Sequence, residues 1–439
     1  MSTPRTWVLA LSAVVSTAAL SSAGWFLWVA QTPLDPQQAQ QARWGIAISF
    51  LLAAGAAIPV ITAAFPRHGL GSSEAKNPAT RCRVLARRLL ATLGASAIVV
   101  AVFVVRPVRW QLRLALVVNA NRLPVDRGGY DVERVPFRFT ASFARDQNVY
   151  FADVDGAIYR SDVREAVATR TRLGSALSHP RMLHVSRRGT IFVSNSQRKT
   201  VRSSDGGATW QECFAVTCWR MEEEERSGAL YAGWYPPRDH PSYYARVLRS
   251  LDEGASWQEV FAAEELDHVH AVRWDDRWRR LYIACGDTPR RGQAVSDDGG
   301  RSWQWLWRGA KQGHTDVALS ANRVVWGSDD YLGRLLIAPR DNLHPGRTVL
   351  WAEGSQIWFV VAEERQVFAG TFVERSGSRE PAVLLASPDE GDTWQKVLEF
   401  RDGELGCKGL SGESRRLSRG GWLYFSTDTG ASYRVRRRP

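Results

Sequence analysis

The segment "RSSDGGATW" (Arg202–Trp210) recurs along the chain as "RSLDEGASW" (Arg249–Trp257), "SDDGGRSW" (Ser296–Trp303), "SPDEGDTW" (Ser387–Trp394) and a frayed "STDTGASY" (Ser426–Tyr433). The shared pattern is Ser-x-Asp-x-Gly-x-Ser/Thr-aromatic. It is carried by Ser203, Asp205, Gly207 and Trp210, by Ser250, Asp252, Gly254 and Trp257, by Ser296, Asp298, Gly300 and Trp303, and by Ser387, Asp389, Gly391 and Trp394. Asp428 and Gly430 hold the matching places in the frayed copy. The chemistry is that of a turn. Ser and Asp side chains bond nearby backbone groups and close a local loop. Gly supplies the positive φ of a tight hairpin. The aromatic opens the next strand with a large face to bury.

The spacing between boxes is about 47 residues, then about 46, then about 91, which is two periods with one box lost. A second element repeats upstream of the boxes. It reads "VYFA" (Val149–Ala152), "IFVS" (Ile191–Ser194), "LYAG" (Leu230–Gly233) and "LYIA" (Leu281–Ala284). It continues as "VVWG" (Val324–Gly327), "VFAG" (Val367–Gly370) and "WLYF" (Trp422–Phe425). Each is a short β-prone run, most ending in a small residue. Seven copies with several short strands per unit predict an all-β seven-bladed propeller, one four-stranded sheet per blade, with six blades as the alternative. The last unit is short, so "VERVPFRFTASF" (Val132–Phe143) is expected to close the ring or to open the first blade.

The boxes resemble the Asp-boxes, or bacterial neuraminidase repeats, of sialidases, sortilin-type receptors and sialidase-like bacterial propellers. The resemblance spans about Pro136 to the end of the chain. It implies that each box is the hairpin between the last two strands of a blade, a scaffold away from any active site. A sialidase would add an arginine cluster, an acid/base Asp and a Tyr activated by a Glu. Of these the sequence offers one candidate, Arg134 in "ERVP". The fold by itself carries no function, since propellers host many.

The first hundred residues have a different character. Trp7–Ala30 and Trp44–Phe65 carry no charge, and Leu89–Val105 is equally apolar. Each is near the roughly 20 residues that cross a bilayer. The expected organisation is a membrane domain over 1–110 with three transmembrane helices (about 7–30, 44–65 and 89–105), a linker over 111–131 and the propeller over 132–439. Arg67, Lys76, Arg81, Arg83, Arg87 and Arg88 fill the loop before the third span and place it in the cytoplasm. The propeller then lies on the periplasmic or extracellular side of a bacterial inner (cytoplasmic) membrane. "LSSAG" in the first span also allows its reading as a cleaved signal peptide, with the same topology for the rest.

The formal net charge of +12 comes almost wholly from Arg. It suits an anionic surface or basic loops beside a membrane; no nucleic acid is expected as a partner. Among five cysteines no CxxC pair occurs, which leaves a zinc site of that type without support. Cys213 and Cys218, in "CFAVTCW", are either a local disulfide or small buried apolar residues. "MEEEER" (Met221–Arg226) reads as a solvated loop between blades, and the terminal "RVRRRP" as a solvated tail.

One constellation stands apart from the scaffold. "LDHVHAVRWDD" carries His268 and His270, two apart and therefore on one side of a strand. "ACGD" adds Asp287, "KQGHTD" adds His314 with Asp316 beside it, and "WGSDD" adds Asp329 and Asp330. The first of these sits where an innermost strand should begin. "ACGD" and "WGSDD" follow equivalent second strands, so their loops should open on one face. His268, His270, Asp287, His314, Asp329 and Asp330 are the candidate ligand-binding set. They suit a polar sugar-like ligand or a divalent metal, or else satisfy one another around a wet channel; no other cofactor is expected. The expected function is a membrane-tethered binding module for a glycan or protein partner. A sialidase-like glycoside hydrolase and an assembly factor for a membrane complex are the alternatives. No nucleophile–base pair or phosphate loop is visible.

Overall fold

The computed structural model describes residues 117–163, 169–287, 289–309, 316–328, 332–343, 346–373, 380–400 and 409–439. They build seven sheets arranged in chain order, each with four antiparallel strands. Blade 1 spans Ala141–Ser175, blade 2 Pro180–Phe214, blade 3 Thr217–Ala263 and blade 4 Val269–Arg308. Blade 5 spans Asp316–Glu353, blade 6 Gln356–Phe400, and blade 7 Leu410–Arg437 with Tyr130–Val135 added. Seven blades are therefore present, not six. Each of the seven upstream repeats lies in the second strand of its blade, as at Ile191–Asn195 and Arg280–Cys285, except that Trp422 of the last stands just before its strand, Leu423–Thr427. These strands read as near-continuous apolar runs because both sheet faces are covered by neighbouring blades.

The ring closes through the chain's earlier half. Tyr130–Val135 pairs antiparallel with Ser432–Arg437 and becomes the outermost strand of blade 7. Ala141–Arg145 then opens blade 1 as its innermost strand. The two expected roles of "VERVPFRFTASF" thus belong to its two ends. The terminal arginines are not a free tail: Arg434 pairs with Glu133, and Arg436 and Arg438 with Asp131. Residues 117–131 depart from a bare linker. Val118–Asn119 pairs in parallel with the outer strand of blade 5, and Val125 bridges to Lys396 of blade 6. The apolar runs at 7–30, 44–65 and 89–105 lie outside the described residues. Among the described residues no helix is long and apolar enough to cross a membrane.

There is no single core. Each interface between neighbouring blades has its own buried apolar cluster. Phe143, Ile158, Leu183 and Val193 join blades 1 and 2. Tyr231, Val269, Trp274 and Ile283 join blades 3 and 4. Phe139, Phe151 and Tyr424 join blade 7 to blade 1.

The four strong boxes are the hairpins between third and fourth strands, and they share one hydrogen-bond plan. In blade 3, Ser250 Oγ donates to Asp252 Oδ1 (2.8 Å) and accepts from the Gly254 N–H (2.8 Å). Asp252 in turn accepts from the Ser256 N–H (2.9 Å) and hydroxyl (2.6 Å). Gly254 has φ +77°, and a Cβ there would fall 2.5 Å from Phe192 of blade 2. Trp257 stands edge-on to Phe214 of that same blade. Each box is thus a turn and a seal against the preceding blade. The frayed copy is a correction. "STDTGASY" joins the second and third strands of blade 7, where Thr427 Oγ1, not Ser426, accepts from the N–H four residues on. Asp428 and Gly430 are therefore not box residues. The reason is the closure: the fourth strand of blade 7 comes from the chain's other end, so no hairpin exists at the box position.

Candidate functional site

The inner strands begin at one face of the ring, the face reached by the loops that follow each second strand. Here blade 4 begins with His268, and His270 lies in its first strand, Val269–Asp275. The register slips between Val269 and Ala271, so a bulge re-aims the side chain between them. Gly286 ends the neighbouring strand and donates its N–H to the His268 carbonyl (2.7 Å). Its φ is +76°, and a Cβ would lie 1.8 Å from the Arg290 carbonyl oxygen, so only glycine fits. The turn it makes delivers Asp287 to the two rings. His268 Nε2 and His270 Nε2 are 3.0 Å apart. Asp287 Oδ1 lies 3.1 Å from His270 Nε2 and 3.6 Å from His268 Nε2.

Both rings are buried, while Asp287 keeps one third of its side chain in solvent. Burial, with His270 beside it, lowers His268 to about 4, so the ring is neutral near pH 7. Burial acts upward on Asp287, but the two imidazoles beside it outweigh that and hold the carboxyl well below its ordinary range. The Tyr243 hydroxyl lies 3.4 Å from His268 Nδ1, and Tyr235 packs on the His268 ring at 3.9 Å between centroids. From Tyr235 a row of half-buried aromatics crosses the mouth. Tyr235 meets Trp219 at 4.6 Å, Trp219 meets Trp358 at 5.5 Å, and Trp358 stacks on Phe372 at 4.6 Å. Trp219 belongs to blade 3 and Trp358 to blade 6, so the row spans the axis. The arrangement can take a polar ligand by flat apolar faces beside a few directed polar groups, and its three converging donor atoms can hold a metal.

Three of the six expected ligand residues, His268, His270 and Asp287, therefore meet. His314, Asp329 and Asp330 lie outside the described residues. Arg134 is excluded from any site at the axis: it is exposed on the outermost strand of blade 7, opposite Tyr433. Cys213 and Cys218 form no disulfide. Both thiols are free and share one apolar cluster, and Cys218 Sγ contacts the Arg220 carbonyl oxygen (3.0 Å). Burial pushes them up to about 11 and about 12.

The largest departure from expectation is "MEEEER". Met221, Glu222 and Glu223 lie in the innermost strand of blade 3, and Glu222–Glu224 are buried. Glu222 pairs with Arg273 of blade 4 (2.7 Å) and Arg416 of blade 7 (3.0 Å). Glu223 pairs with Arg145 of blade 1 (2.5 Å). Deeper in the channel, Arg415 Nη2 donates to Asp316 Oδ1 of blade 5 (2.8 Å), and Arg220 reaches Glu413 (2.6 Å). Blades 3, 5 and 7 are not neighbours, so these pairs cross the axis. A repeat-frame signal existed in the sequence. Glu222 and Arg273 are both opposite the tyrosine of the upstream repeat in their partner strands, Tyr231 of "LYAG" and Tyr282 of "LYIA", and so hold equivalent places in adjacent blades. The opposite mouth, beyond this lattice, holds a cavity of about 710 Å³ lined by Arg145, Glu222, Arg273, Asp275, Arg340 and Arg416 among others. Each of these six side chains is paired with an opposite charge. The histidine mouth instead brings two imidazole nitrogens and a carboxylate oxygen to one point beside an aromatic row, and it is the stronger candidate.

No protein-family model and no curated protein sequence matches the chain. Solved structures do. A GH74 xyloglucanase from Xanthomonas campestris superposes with TM-score 0.52 at 16% identity, over 70% of this chain and 54% of its own. An ancestral GH74 enzyme gives TM-score 0.52 at 14% identity, over 71% of this chain and 45% of its own. A catalytically inactive virginiamycin B lyase from Staphylococcus aureus, with quinupristin, gives TM-score 0.50 at 9% identity, over 70% and 100%. The chain spans about half the length of the two GH74 chains. At these identities the likeness is one of fold, and the fold they share with this chain is the β-propeller.

Proposed function

We propose that the chain is a membrane-tethered binding module, carried outside the cytoplasmic membrane, that captures a glycan at the histidine mouth of its propeller. The observation that carries this reading is the aromatic row Tyr235–Trp219–Trp358–Phe372, which runs from the His268–His270–Asp287 group across the axis. Sugar rings present flat C–H faces and a rim of hydroxyls. Half-buried indoles beside imidazole, carboxylate and the Tyr243 hydroxyl answer both. The three apolar runs before residue 106 and their basic cytoplasmic loop support the tether. The box hairpins lie at the opposite face, in keeping with the scaffold role that the Asp-box resemblance implies.

A sialidase-like hydrolase is the second reading. It is disfavoured because its arginine candidate, Arg134, is remote from both mouths. A docking scaffold for a membrane complex would use the same mouth for a peptide segment. The test is a glycan array with the full-length protein in detergent beside Trp219→Ala and Trp358→Ala. Capture of a defined glycan class is expected. Each variant should weaken it at least tenfold, or about 1.4 kcal/mol. Capture that is unchanged in both variants, or no capture by folded protein, overturns the glycan reading.

A further inference from the structure

We infer that His268, His270 and Asp287 form a binding site for one divalent first-row transition ion, of the zinc class, with its remaining coordination positions open to the mouth. The inference shares its location with the proposed function and rests on that reading only for what occupies the open positions.

One hydrogen would have to serve all three atoms. The 3.0 Å separation of the two Nε2 atoms admits a hydrogen on one of them, not on both. That single N–H would face two acceptors, the other ring nitrogen and an Asp287 oxygen 3.1 Å away. The remaining ring would point a lone pair at the same carboxylate oxygen, 3.6 Å off. Three electron-rich atoms would thus surround one hydrogen inside a largely buried site. A cation at their centre satisfies all three.

The dimensions agree. A triangle with edges of 3.0, 3.1 and 3.6 Å has its three corners about 1.9 Å from a common point in its plane. Zinc bonds of about 2.0–2.1 Å to imidazole and carboxylate would lift an ion slightly out of that plane, as over one face of a tetrahedron. Two imidazoles with one carboxylate also form the donor set that first-row transition ions favour over magnesium or calcium.

The surroundings orient the ligands. The Tyr243 hydroxyl lies beside His268 Nδ1 (3.4 Å), which leaves that hydroxyl to accept the ring N–H and Nε2 to present a lone pair. The bulge at His270 recurs near the start of the innermost strands of blades 2, 3 and 6, whereas the tight turn at Gly286 is what brings Asp287 to the two rings. Asp287 is the ligand nearest solvent, so the open side of the ion faces the mouth and the Tyr235–Trp219 end of the aromatic row.

The test uses the full-length protein in detergent, stripped with a chelator, reloaded with zinc and desalted. Atomic emission should find about one zinc per chain. His270→Ala and Asp287→Asn should each lower zinc affinity at least about 100-fold, and Tyr243→Phe by about 10–100-fold, the range for partners behind the ligands. His240→Ala, a histidine outside the triangle, should leave affinity unchanged. Cobalt in place of zinc should give visible d–d absorption that the two ligand variants lose. Variants whose metal-free melting matches wild type establish that folding is intact; if one does not match, Asp287→Ser replaces it. Less than about 0.1 zinc per folded chain, or equal zinc in wild type and the ligand variants, overturns the inference. Glycan capture without zinc overturns the metal site and leaves the binding module. Zinc without capture supports the metal site and overturns the glycan reading.

Discussion

His184 shows what a single buried side chain does to this protein. It sits in the innermost strand of blade 2 against the Phe143 ring at 4.7 Å, and neither ring nitrogen has a hydrogen-bond partner among the described residues. Burial lowers it from 6.5 to about 3, with Arg145 and Arg416 acting the same way against Glu222. Between those two values the unfolded chain binds a proton that the folded one refuses. Stability from this group is therefore complete above about pH 6.5 and lost as pH falls, at up to about 1.4 kcal/mol per pH unit. His184→Leu should flatten the dependence of unfolding free energy on pH between 7.5 and 4.5. Urea titrations of the two proteins across that range check it, and parallel curves would refute it. At this scale His268 and His270 were legible, because an HxH pair in a strand shows its spacing openly. Asp287 was legible as a candidate, while the need for Gly286 before it was not. Glu222 and Glu223 were misread because a run of four glutamates has the composition of a solvated loop. Only the arginines brought opposite them by the ring make their burial tolerable.

The box hairpin is the element on which the fold could be read. Its Ser, Asp and Gly act locally, and local chemistry repeats faithfully wherever the local geometry does. Ser387 donates to Asp389 Oδ1 and accepts from the buried Gly391 N–H, both at 2.8 Å. Ser387→Ala leaves that N–H unsatisfied and should cost about 1–3 kcal/mol. The measurement is the midpoint of chemical denaturation, and a change below about 0.5 kcal/mol, the scatter of ordinary surface substitutions, would deny the box its structural role. The frayed copy at 426–433 marks the limit of this reading. It matches the pattern letter for letter at Ser426, Asp428 and Gly430, yet it joins different strands. A motif does not state which two strands it connects, and ring closure decided that here.

At the level of the whole molecule, the propeller is a ring of seven apolar interfaces around an ionic hub. The interfaces were legible, since each second strand displays its apolar run. The hub was not, because its pairs join residues that lie far apart in sequence, as Arg220 and Glu413 do. Arg415→Met tests the hub. Asp316, fully buried, is held below its ordinary range by Arg415 and Arg220 despite its burial. Removing Arg415 strands that charge and should cost about 3–5 kcal/mol, whereas adding Asp316→Asn should recover part of the loss. Denaturation midpoints of the two variants check the order; a single variant no less stable than the double would refute it.

The closure of blade 7 also sets a clock. Val135 and its register partner Ser432 are separated by nearly 300 residues. On a ribosome adding about 5–20 residues per second, the first of the two strands emerges some 15–60 s before the second. For that interval Tyr130–Val135 has no partner, and the six blades that follow it are made while the ring stays open. Until Ser432–Arg437 is made the chain is six blades without a clasp, and the arrival of that one strand decides when it becomes a propeller.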